Sequence, residues 1–327
     1  LPGVRGEQPR GCEAGWHTHR WRGPQPRTGS QPHGRGCRAG NRGCAGTAAA
    51  PAPAAKGVVA DGVWGLGKHS AGVSVRFRTD AEWIACRWKL GSENLAMDHM
   101  PATGVSGVDL YMRMPEELQK PPGQRWHWIG VGRPTGQEME SQIAGGIPAG
   151  EHEFTLYLPL YNSTSSLEIG VPSGATLVAA ADRGQAFVVW GTSITQGGCA
   201  SRPGMAYPAI IGRWLDRPHI NLGFSGNGQM QPEVSRLIAE LDAAAFVIDC
   251  LPNMGPDLVT ERTAPLVRAL RQAHPETPIV LVENIEYQAS AALAGTRRGY
   301  QSKNDALRAV YAQLVADGIT GLTYVEG

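Results

Sequence analysis

The sequence predicts two folded parts in series: an antiparallel β-sandwich of the jelly-roll kind, followed by an α/β/α unit of the flavodoxin-like kind with a parallel sheet. Between about residues 57 and 180, apolar residues recur with a period of two in short runs separated by Gly, Pro and polar turns, a pattern typical of half-buried antiparallel strands. Over residues 185–327, short apolar runs alternate with amphipathic helical patterns, which is typical of a doubly wound parallel sheet.

Residues 1–56 form a separate, basic segment rich in Gly, Pro and Arg. They carry eight arginines and Lys56 against Glu7 and Glu13, a net charge of +7, and almost no aliphatic residues. Such a composition buries too little apolar surface to offset the entropy of ordering, so we expect a disordered tail or translated sequence that is not native. A basic arm for an anionic partner is the alternative. The segment lacks the apolar region of a signal peptide, which leaves a periplasmic, secreted or cytoplasmic location open.

The rest of the chain has the composition of a globular protein and excludes several function classes. It carries 21 basic and 27 acidic residues, a net charge of −6, which disfavours nucleic acid as a partner. No run of eighteen apolar residues exists, so we expect no membrane span. None of the six cysteines forms a C-x-x-C pair, and no metal site, disulfide framework or organic cofactor is indicated.

The predicted sandwich strands are rich in alternating aliphatic and aromatic residues. Their apolar positions are Val73–Phe77, Ile84–Leu90, Val108–Met112, Trp126–Trp128, Phe154–Leu158 and Leu167–Val171. The aromatic residues favour core packing, with a carbohydrate-stacking platform as the alternative. Between two of these strands lies a loop that places Asn94, Asp98 and His99 close together. This loop either reaches the site of the second part or forms a turn satisfied by its own side chains.

The predicted α/β part contains five strands joined by amphipathic helices. The strands are Phe187–Trp190, His219–Phe224, Ala245–Leu251, Ile279–Glu283 and Leu322–Val325. One helix carries Tyr207, Ile210, Ile211, Trp214 and Leu215 as an apolar stripe. Pro232, Pro265 and Pro275 are expected near helix ends, where proline is tolerated.

Polar or glycine-rich loops follow the first three of these strands. They are Gly191-Thr192-Ser193, Asn221-Leu-Gly-Phe-Ser-Gly-Asn-Gly228 and Asp249-Cys-Leu-Pro-Asn-Met254. In a sheet ordered 2-1-3-4-5, these loops surround the crevice at the topological switch point, where open α/β sheets bind ligands. A serine, a flexible backbone donor and a side-chain amide would then converge. Acyl transfer requires this combination, because preplaced donors must meet the oxyanion of the tetrahedral intermediate.

These blocks resemble the SGNH hydrolases, also called GDSL-type esterases and lipases. The resemblance implies that Ser193 is the nucleophile, that Gly226 donates its backbone N–H to the oxyanion, and that Asn253 donates its side-chain amide. The longer string from Gly191 to Tyr207 resembles a bacterial branch in which a jelly-roll part precedes the hydrolase part.

Two departures from the family pattern stand out. The third block usually reads Gly-x-Asn-Asp, whereas residues 251–254 read Leu-Pro-Asn-Met. The family takes its base and the acid that orients it from an Asp-x-x-His block after the last strand, and that block is absent from the printed sequence. We therefore expect these two residues to lie beyond Gly327 and this fragment to be inactive without them. His274 falls on the side opposite the catalytic edge and is not a candidate base.

Several nearby residues have two readings. Thr192, Asn227, Glu283 and His99 are candidate substrate contacts, although Glu283 is as well suited to satisfying loop amides. Cys199 and Cys250 suggest a thiol enzyme, but small apolar packing residues are the favoured interpretation. The string Gly226-Asn-Gly228 lacks the third glycine of a dinucleotide fingerprint, and no P-loop string exists.

The function that this sequence predicts is hydrolysis of a small acyl ester through an acyl-enzyme on Ser193. The resemblance suggests O-acetyl groups on carbohydrate, so the expected partner is a small-molecule or carbohydrate ester. The alternative is a catalytically inactive, hydrolase-like protein that binds carbohydrate, which the missing Asp-x-x-His block and the altered surroundings of Asn253 suggest, since fold alone does not determine function.

Overall fold

The computed structural model describes residues 17–21, 46–47 and 55–327. Most of the predicted basic tail, including Cys12, Cys37 and Cys44, therefore lies outside the described residues. Two short segments of it are strands: β1 (His17–Trp21) pairs antiparallel with residues 167–171, and β2 (Gly46–Thr47) pairs with residues 74–75.

The N-terminal part consists of two antiparallel sheets, as predicted. Its further strands are β3 (Ser74–Thr79), β4 (Trp83–Leu90), β5 (Val108–Arg113), β6 (Trp126–Gly132), β7 (Glu138–Gly145), β8 (His152–Tyr157), β9 (Thr164–Val171) and β10 (Leu177–Ala179). One sheet has the order β1-β9-β4-β7, and the other has the order β10-β3-β8-β5-β6 with β2 beside β3. Two short helices, α1 (Asp61–Leu66) and α2 (Ala102–Val105), lie outside the sheets.

The two antiparallel sheets enclose one apolar core. Phe77 of β3 and Phe154 of β8 are fully buried and stack with ring centroids 5.4 Å apart. Trp88 is also fully buried, and its indole N–H donates to the Ser106 carbonyl at 3.1 Å. These three rings are core residues, because their apolar surface is buried inside the sandwich and the Trp88 indole N–H has a hydrogen-bond partner there. Trp128 differs, since 47% of it is exposed.

The C-terminal part is a five-stranded parallel sheet of order β12-β11-β13-β14-β15, which confirms the predicted 2-1-3-4-5 order. Its strands are β11 (Phe187–Gly191), β12 (His219–Gly223), β13 (Ala245–Asp249), β14 (Ile279–Val282) and β15 (Leu322–Val325). Its helices are α3 (Ser193–Gln196), α4 (Tyr207–Leu215), α5 (Pro232–Ile238), α6 (Pro256–Ala273) and α7 (Ala294–Ala316). Within the described residues, no helix is long and apolar enough to cross a membrane.

The direction of the crossovers decides which face each helix covers. The step from β11 to β12 runs opposite to the later steps, so right-handed connections place α4 on one face and α5, α6 and α7 on the other. The last three pack on Trp190 and Phe246 in one apolar core. On the opposite face, Ala209 of α4 clusters with Tyr111 and Tyr157 of the sandwich. The sandwich therefore packs against the helix that follows the predicted nucleophile.

The expectation that Pro265 lies near a helix end is wrong. Pro265 is inside α6, which continues over 18 residues from Pro256 to Ala273. A proline there removes one backbone hydrogen bond and crowds the preceding turn. The helix continues nevertheless, because Pro265 faces solvent while Leu266 and Leu270 on the other side are buried in the core.

A buried carboxylate ties the two parts together. Asp109 of β5 is fully buried and accepts hydrogen bonds from the Trp128 indole N–H and the Gly204 backbone N–H, both at 2.8 Å. The Arg202 guanidinium lies 3.4 Å from the same carboxylate. Burial raises the pKa of Asp109 to about 6, and these partners partly offset that effect. The segment after α3 is thereby held on the sandwich.

Truncating the stacked phenylalanine of the sandwich should be strongly destabilising. We expect Phe154→Ala to lower the free energy of unfolding by about 3–5 kcal/mol, because it leaves a cavity in a close-packed core. Val178→Ala, on an exposed edge-strand side chain, is the control and should change it by less than about 0.5 kcal/mol. Urea unfolding followed by circular dichroism measures both, and equal effects would contradict the assignment of this core.

Candidate active site

The predicted nucleophile begins a short helix immediately after the central strand. Thr192 is the N-cap of α3, with an extended backbone, and its hydroxyl accepts from the Ile194 N–H at 3.3 Å. Ser193 is the first residue of α3 and is half-buried. The helix ends after one turn at Gly197, whose φ of 109° is in the left-handed region that favours glycine. This strand–turn–helix geometry presents Ser193 at the carboxyl edge of the sheet.

The loop after β12 crosses directly over the end of β11. The Phe224 N–H donates to the Gly191 carbonyl at 2.9 Å. A Cβ atom on Gly228 would lie 2.0 Å from that same oxygen, so only glycine permits the approach. The first two predicted loops therefore meet through their backbones.

Asn253 joins the third loop to the second. In the orientation that satisfies its side-chain amide, Oδ1 accepts from the N–H groups of Gly226 and Asn227 at 3.2 Å and from that of Gly228 at 3.3 Å. The opposite orientation offers only a 3.4 Å contact from Nδ2 to the Phe224 carbonyl, so we prefer the first. The Gly226 N–H is thus directed at Asn253, and its role as an oxyanion donor stays a prediction.

A buried polar cluster that the sequence did not reveal lies behind Ser193. Tyr207 donates its hydroxyl to Asp249 Oδ2 at 2.7 Å, and the Thr195 hydroxyl donates to the same oxygen at 3.2 Å. Burial raises the pKa of Asp249 to about 6, although both hydrogen bonds oppose the shift. The sequence pattern predicts Tyr207 as part of an apolar helix stripe. Its hydroxyl instead links the start of α4 to the end of β13.

The sandwich also contacts the nucleophile helix directly. The Tyr161 hydroxyl donates to the Ser193 carbonyl at 3.3 Å. The Gln196 amide nitrogen lies 3.1 Å from both His69 Nδ1 and the Leu160 carbonyl, while its oxygen accepts from the Ser225 N–H at 3.1 Å. Burial lowers the pKa of His69. No sequence pattern indicated these contacts, because they depend on how the two parts pack.

The remaining candidate substrate contacts are spread around this edge. Asn227 is half-buried beside α1, where a Cβ atom on Gly62 would lie 2.7 Å from its Oδ1. His99 is exposed, but its loop leads to Thr103, whose hydroxyl donates to the Ser201 carbonyl at 2.6 Å. This contact belongs to α2, which follows the loop, and the substrate contact of His99 stays a prediction.

Glu283 is only 3% exposed, and its carboxylate has structural partners. It accepts from Arg308 at 2.6 Å, from the Gly327 N–H at 3.1 Å and from the Tyr324 hydroxyl. These contacts fit the alternative interpretation, in which Glu283 satisfies groups of neighbouring segments. Its proposed contact with substrate stays a prediction.

The two cysteines near the site differ from each other. Cys250 is fully buried in the core, where burial raises the pKa of its thiol, so it packs as expected. Cys199 is exposed and has a φ of 64°, so its interpretation as a buried packing residue is wrong. His274 binds the Ala239 carbonyl at 2.8 Å and packs on Phe246, at the opposite end of β13 from Asp249. In residues 55–327, no group of three or more His, Cys, Asp and Glu side chains is arranged to hold a metal ion.

The close approach at Gly228 predicts that alanine substitutions at Gly228 and Gly299 change the free energy of unfolding in opposite directions. We expect Gly228→Ala to lower the free energy of unfolding by about 1–3 kcal/mol or more, because the new methyl collides with the Gly191 backbone. Gly299→Ala is the matched control: it lies in α7 with open space around it and should stabilise by about 0.5–1 kcal/mol. Opposite signs in urea unfolding are the expected result, and a neutral Gly228→Ala would contradict the loop contact.

Asp249 should give the stability a specific pH dependence. Because its pKa is raised in the folded protein, Asp249 stabilises the fold below about pH 4, and that contribution is lost as the pH rises through about 6. Asp249→Asn keeps a hydrogen-bond acceptor but does not titrate. We therefore expect the variant's unfolding free energy, relative to wild type, to rise by on the order of 2 kcal/mol between pH 4 and pH 7.

Urea unfolding of both proteins at the two pH values measures this difference. Asp98→Asn, which removes an exposed carboxylate, is the control and should shift the difference by less than about 0.5 kcal/mol. If the stability of Asp249→Asn relative to wild type stayed constant with pH, the pKa of Asp249 would not be raised in the folded protein.

Two family patterns match almost the whole described chain. Residues 51–177 match the N-terminus of the SGNH-hydrolase-type esterases, a pattern named Gly-x-Asp-Leu-Tyr, and residues 107–111 read Gly-Val-Asp-Leu-Tyr. Residues 184–327 match the GDSL-like lipase/acylhydrolase family. A search of the curated proteins found no match.

Solved structures share the architecture. A protein described as a GDSL-like lipase from Bacteroides ovatus is 34% identical, over 83% of this chain and 79% of that chain, with a TM-score of 0.76. A salicylyl-acyltransferase from a tetracycline biosynthetic pathway is 21% identical, over 84% and 75%, with a TM-score of 0.64. A family two carbohydrate esterase from Clostridium thermocellum, solved with cellohexaose, is 13% identical, over 79% and 82%, with a TM-score of 0.52.

The similarity to the acyltransferase and to the carbohydrate esterase shows the fold alone, whereas the Bacteroides ovatus protein also shares sequence identity over most of both chains. This identity, the two family patterns and the serine-bearing turn at the carboxyl edge support an acyl esterase. This chain belongs to the SGNH hydrolase family of GDSL-like lipases and acylhydrolases.

Proposed function

We propose that this protein is a serine esterase that cleaves a small acyl ester, with O-acetyl groups on carbohydrate as the leading substrate class. The observation that supports this most directly is the meeting of three strand-end loops. The Gly191 carbonyl, two residues before Ser193, contacts Phe224 and Gly228, and the side chain of Asn253 contacts the N–H groups of residues 226–228. A serine, backbone donors and a side-chain amide are the group types that acyl transfer requires.

In the proposed reaction, Ser193 Oγ attacks the ester carbonyl carbon while a base takes its proton. The tetrahedral intermediate collapses with cleavage of the carbon–oxygen bond to the alcohol, which leaves with that proton. Water then attacks the acyl-serine ester, releases the carboxylic acid and restores Ser193. No further reactant is needed for this balance.

The oxyanion is stabilised in this proposal by the Ser193 N–H and the Asn253 amide. Ser193 is the first residue of α3, so its N–H is among the helix donors without an intrahelical partner. The three N–H groups that hold Asn253 Oδ1 orient its amide nitrogen away from the loop. Gly226, whose N–H the family resemblance assigns as the third donor, is exposed and has a φ of 70°, a conformation that glycine adopts without strain. Asn227 flanks this group as a proposed substrate contact. Thr192 is fully buried and its hydroxyl caps α3, which argues against the substrate contact predicted for it.

The base in this proposal comes from the Asp-x-x-His block that the family places after its last strand. The course of the chain supports this source. β15 is parallel to β11 and ends at the same edge of the sheet. The Gly327 N–H donates to Glu283, which follows β14, so the end of β15 lies beside the end of its neighbouring strand at this edge.

The decisive experiment measures hydrolysis of p-nitrophenyl acetate and of acetylated xylan by the chain expressed to the end of its gene's reading frame. We expect Ser193→Ala to lower kcat/KM at least about 10³-fold, because it removes the nucleophile. Asn253→Ala should lower kcat about 10²–10³-fold, as expected for one oxyanion donor. Cys199→Ser is the control for thiol chemistry and should leave both rates unchanged.

Esterase activity that survives Ser193→Ala would refute this mechanism. Loss of activity in Cys199→Ser with retention in Ser193→Ala would instead identify a thiol nucleophile. If the wild-type protein hydrolyses neither ester but binds xylan equally well with and without Ser193, the non-catalytic carbohydrate-binding alternative replaces the proposal.

A further inference from the structure

The side chain that would bind the oxyanion, Asn253, belongs to a segment with little structure of its own. Residues Leu251–Asn253 form a single 3-10 turn after β13. The hydrogen-bond geometry of such a turn is poor, so surrounding contacts decide its position. The Leu251 side chain is fully buried and anchors the start of the turn, whereas Pro252 and Asn253 are half-buried. The direction of the Asn253 amide therefore depends on what holds the end of the turn.

Two side chains from other elements bind the backbone carbonyls at that end. The Gln229 amide nitrogen donates to the Asn253 carbonyl at 3.1 Å, and Lys303 Nζ donates to the Pro252 carbonyl at 3.3 Å. The last carbonyls of a helical turn have no partner within it, so they need donors from elsewhere. Gln229 lies in the loop after β12 and Lys303 lies in α7, so the turn is tied to two separate elements.

Gln229 is itself held in place by its neighbours. Its backbone N–H donates to Gln231 Oε1 at 3.2 Å, and its carbonyl accepts from Arg262 at 3.0 Å. Gln231 Nε2 in turn donates to the Asn227 carbonyl at 2.6 Å. The Asn253 side chain accepts from three N–H groups of the same loop. Loop and turn are therefore joined through both the side chain and the backbone of Asn253.

Lys303 brings an ammonium group to the turn without a carboxylate partner. Its side chain is half-buried, and burial lowers its pKa. Among the ion pairs of the described residues, none includes Lys303, whereas Arg308 further along α7 pairs with Glu283. The charge of Lys303 is therefore not cancelled by a neighbour. A cation beside Asn253 also favours the negative charge that develops on the oxyanion.

The third block of this chain departs from the family pattern at the residue after its asparagine. Met254 takes the place of the usual aspartate, and its side chain is buried in the core of the α/β part. A thioether is at best a weak acceptor and donates no hydrogen bond. The polar support that reaches the end of the turn comes from Gln229 and Lys303 instead.

We propose that Gln229 and Lys303 are positioning residues for the oxyanion amide of Asn253, a role that rests on the esterase function proposed above. Both act through the backbone of residues 252 and 253, which sets where the Asn253 amide nitrogen points. A displacement of about 1 Å in a catalytic group can lower a rate by up to about 10²-fold. Loss of either donor should therefore cost less than loss of Asn253 itself.

Hydrolysis of p-nitrophenyl acetate by the chain expressed to the end of its gene's reading frame tests this role. We expect Gln229→Ala and Lys303→Met each to lower kcat about tenfold and to leave KM within about twofold, because transition-state binding is what they affect. Lys303→Arg keeps a donor and the charge and should retain most of kcat. Gln301→Ala and Arg298→Met, which remove exposed polar side chains of α7, are the controls and should leave kcat unchanged.

A double-mutant cycle separates positioning from a general structural role. In the Asn253→Ala background, Gln229→Ala and Lys303→Met should change kcat by less than about twofold, because the group that they position is gone. Circular dichroism verifies the fold of each variant. If Gln229→Ala does not fold, Lys303→Met and Lys303→Arg decide the outcome. The positioning role is refuted if the folded variants keep the wild-type kcat, or if the tenfold loss persists without Asn253.

The same measurements distinguish a failure of this role from a failure of the esterase proposal. If the wild type is inactive, or if its activity survives Ser193→Ala, the proposed mechanism fails and the positioning role fails with it. If activity depends on Ser193 and Asn253 but not on Gln229 or Lys303, the esterase proposal stands and the positioning role alone is refuted.

Discussion

The carbonyl oxygen of Gly191 accepts a hydrogen bond from the Phe224 N–H and lies against Gly228, where no side chain fits. Both contacts are between backbones, so rotamer changes cannot relax them. They set the distance between the turn that carries Ser193 and the loop that Asn253 holds by its side chain. Preorganisation of this kind matters for acyl transfer, because donors that must move to meet the oxyanion lose much of their effect.

The turn that carries Ser193 is too short to be stable by itself. A four-residue helix has a single turn of backbone hydrogen bonds, here to the Thr192 and Ser193 carbonyls, so its geometry depends on its surroundings. From the α/β part, Thr195 reaches Asp249; from the sandwich, Tyr161 and His69 reach the backbone of Ser193 and the side chain of Gln196. The sandwich thus supports the serine directly. The sandwich therefore helps to position the active-site turn through these hydrogen bonds.

Much of the fold could be predicted from the sequence, because burial imposes a period on each strand and helix. All five parallel strands followed from short apolar runs that alternate with amphipathic helical patterns, and their order followed from the flavodoxin-like fold class that this alternation indicates. Strand β7 was missed because only Met139 and Ile143 of its eight residues are buried. The position of Pro265 was predicted wrongly, because the packing of the buried side of α6 outweighs the low helix propensity of a proline that faces solvent. At the site, Ser193 and Asn253 stood at strand ends where chemistry is expected.

The contacts around those residues could not be predicted in the same way. Tyr207 fits an apolar stripe equally well whether or not its hydroxyl finds a partner. The link from His69 to Gln196 joins residues 127 positions apart, between the sandwich and the α/β part. Such contacts depend on shape complementarity between surfaces, which has no period in the sequence.

Asp109 has a further consequence for how such a chain can change over time. Its carboxylate is buried in the sandwich, yet two of its partners, Gly204 and Arg202, belong to the other part. Separating the two halves would leave that charge with the Trp128 indole as its one described hydrogen-bond partner. Recombination that brought in an unrelated sandwich would therefore leave Arg202 and the Gly204 N–H without this carboxylate. We expect the two halves to be inherited together, despite the different architectures of their sheets.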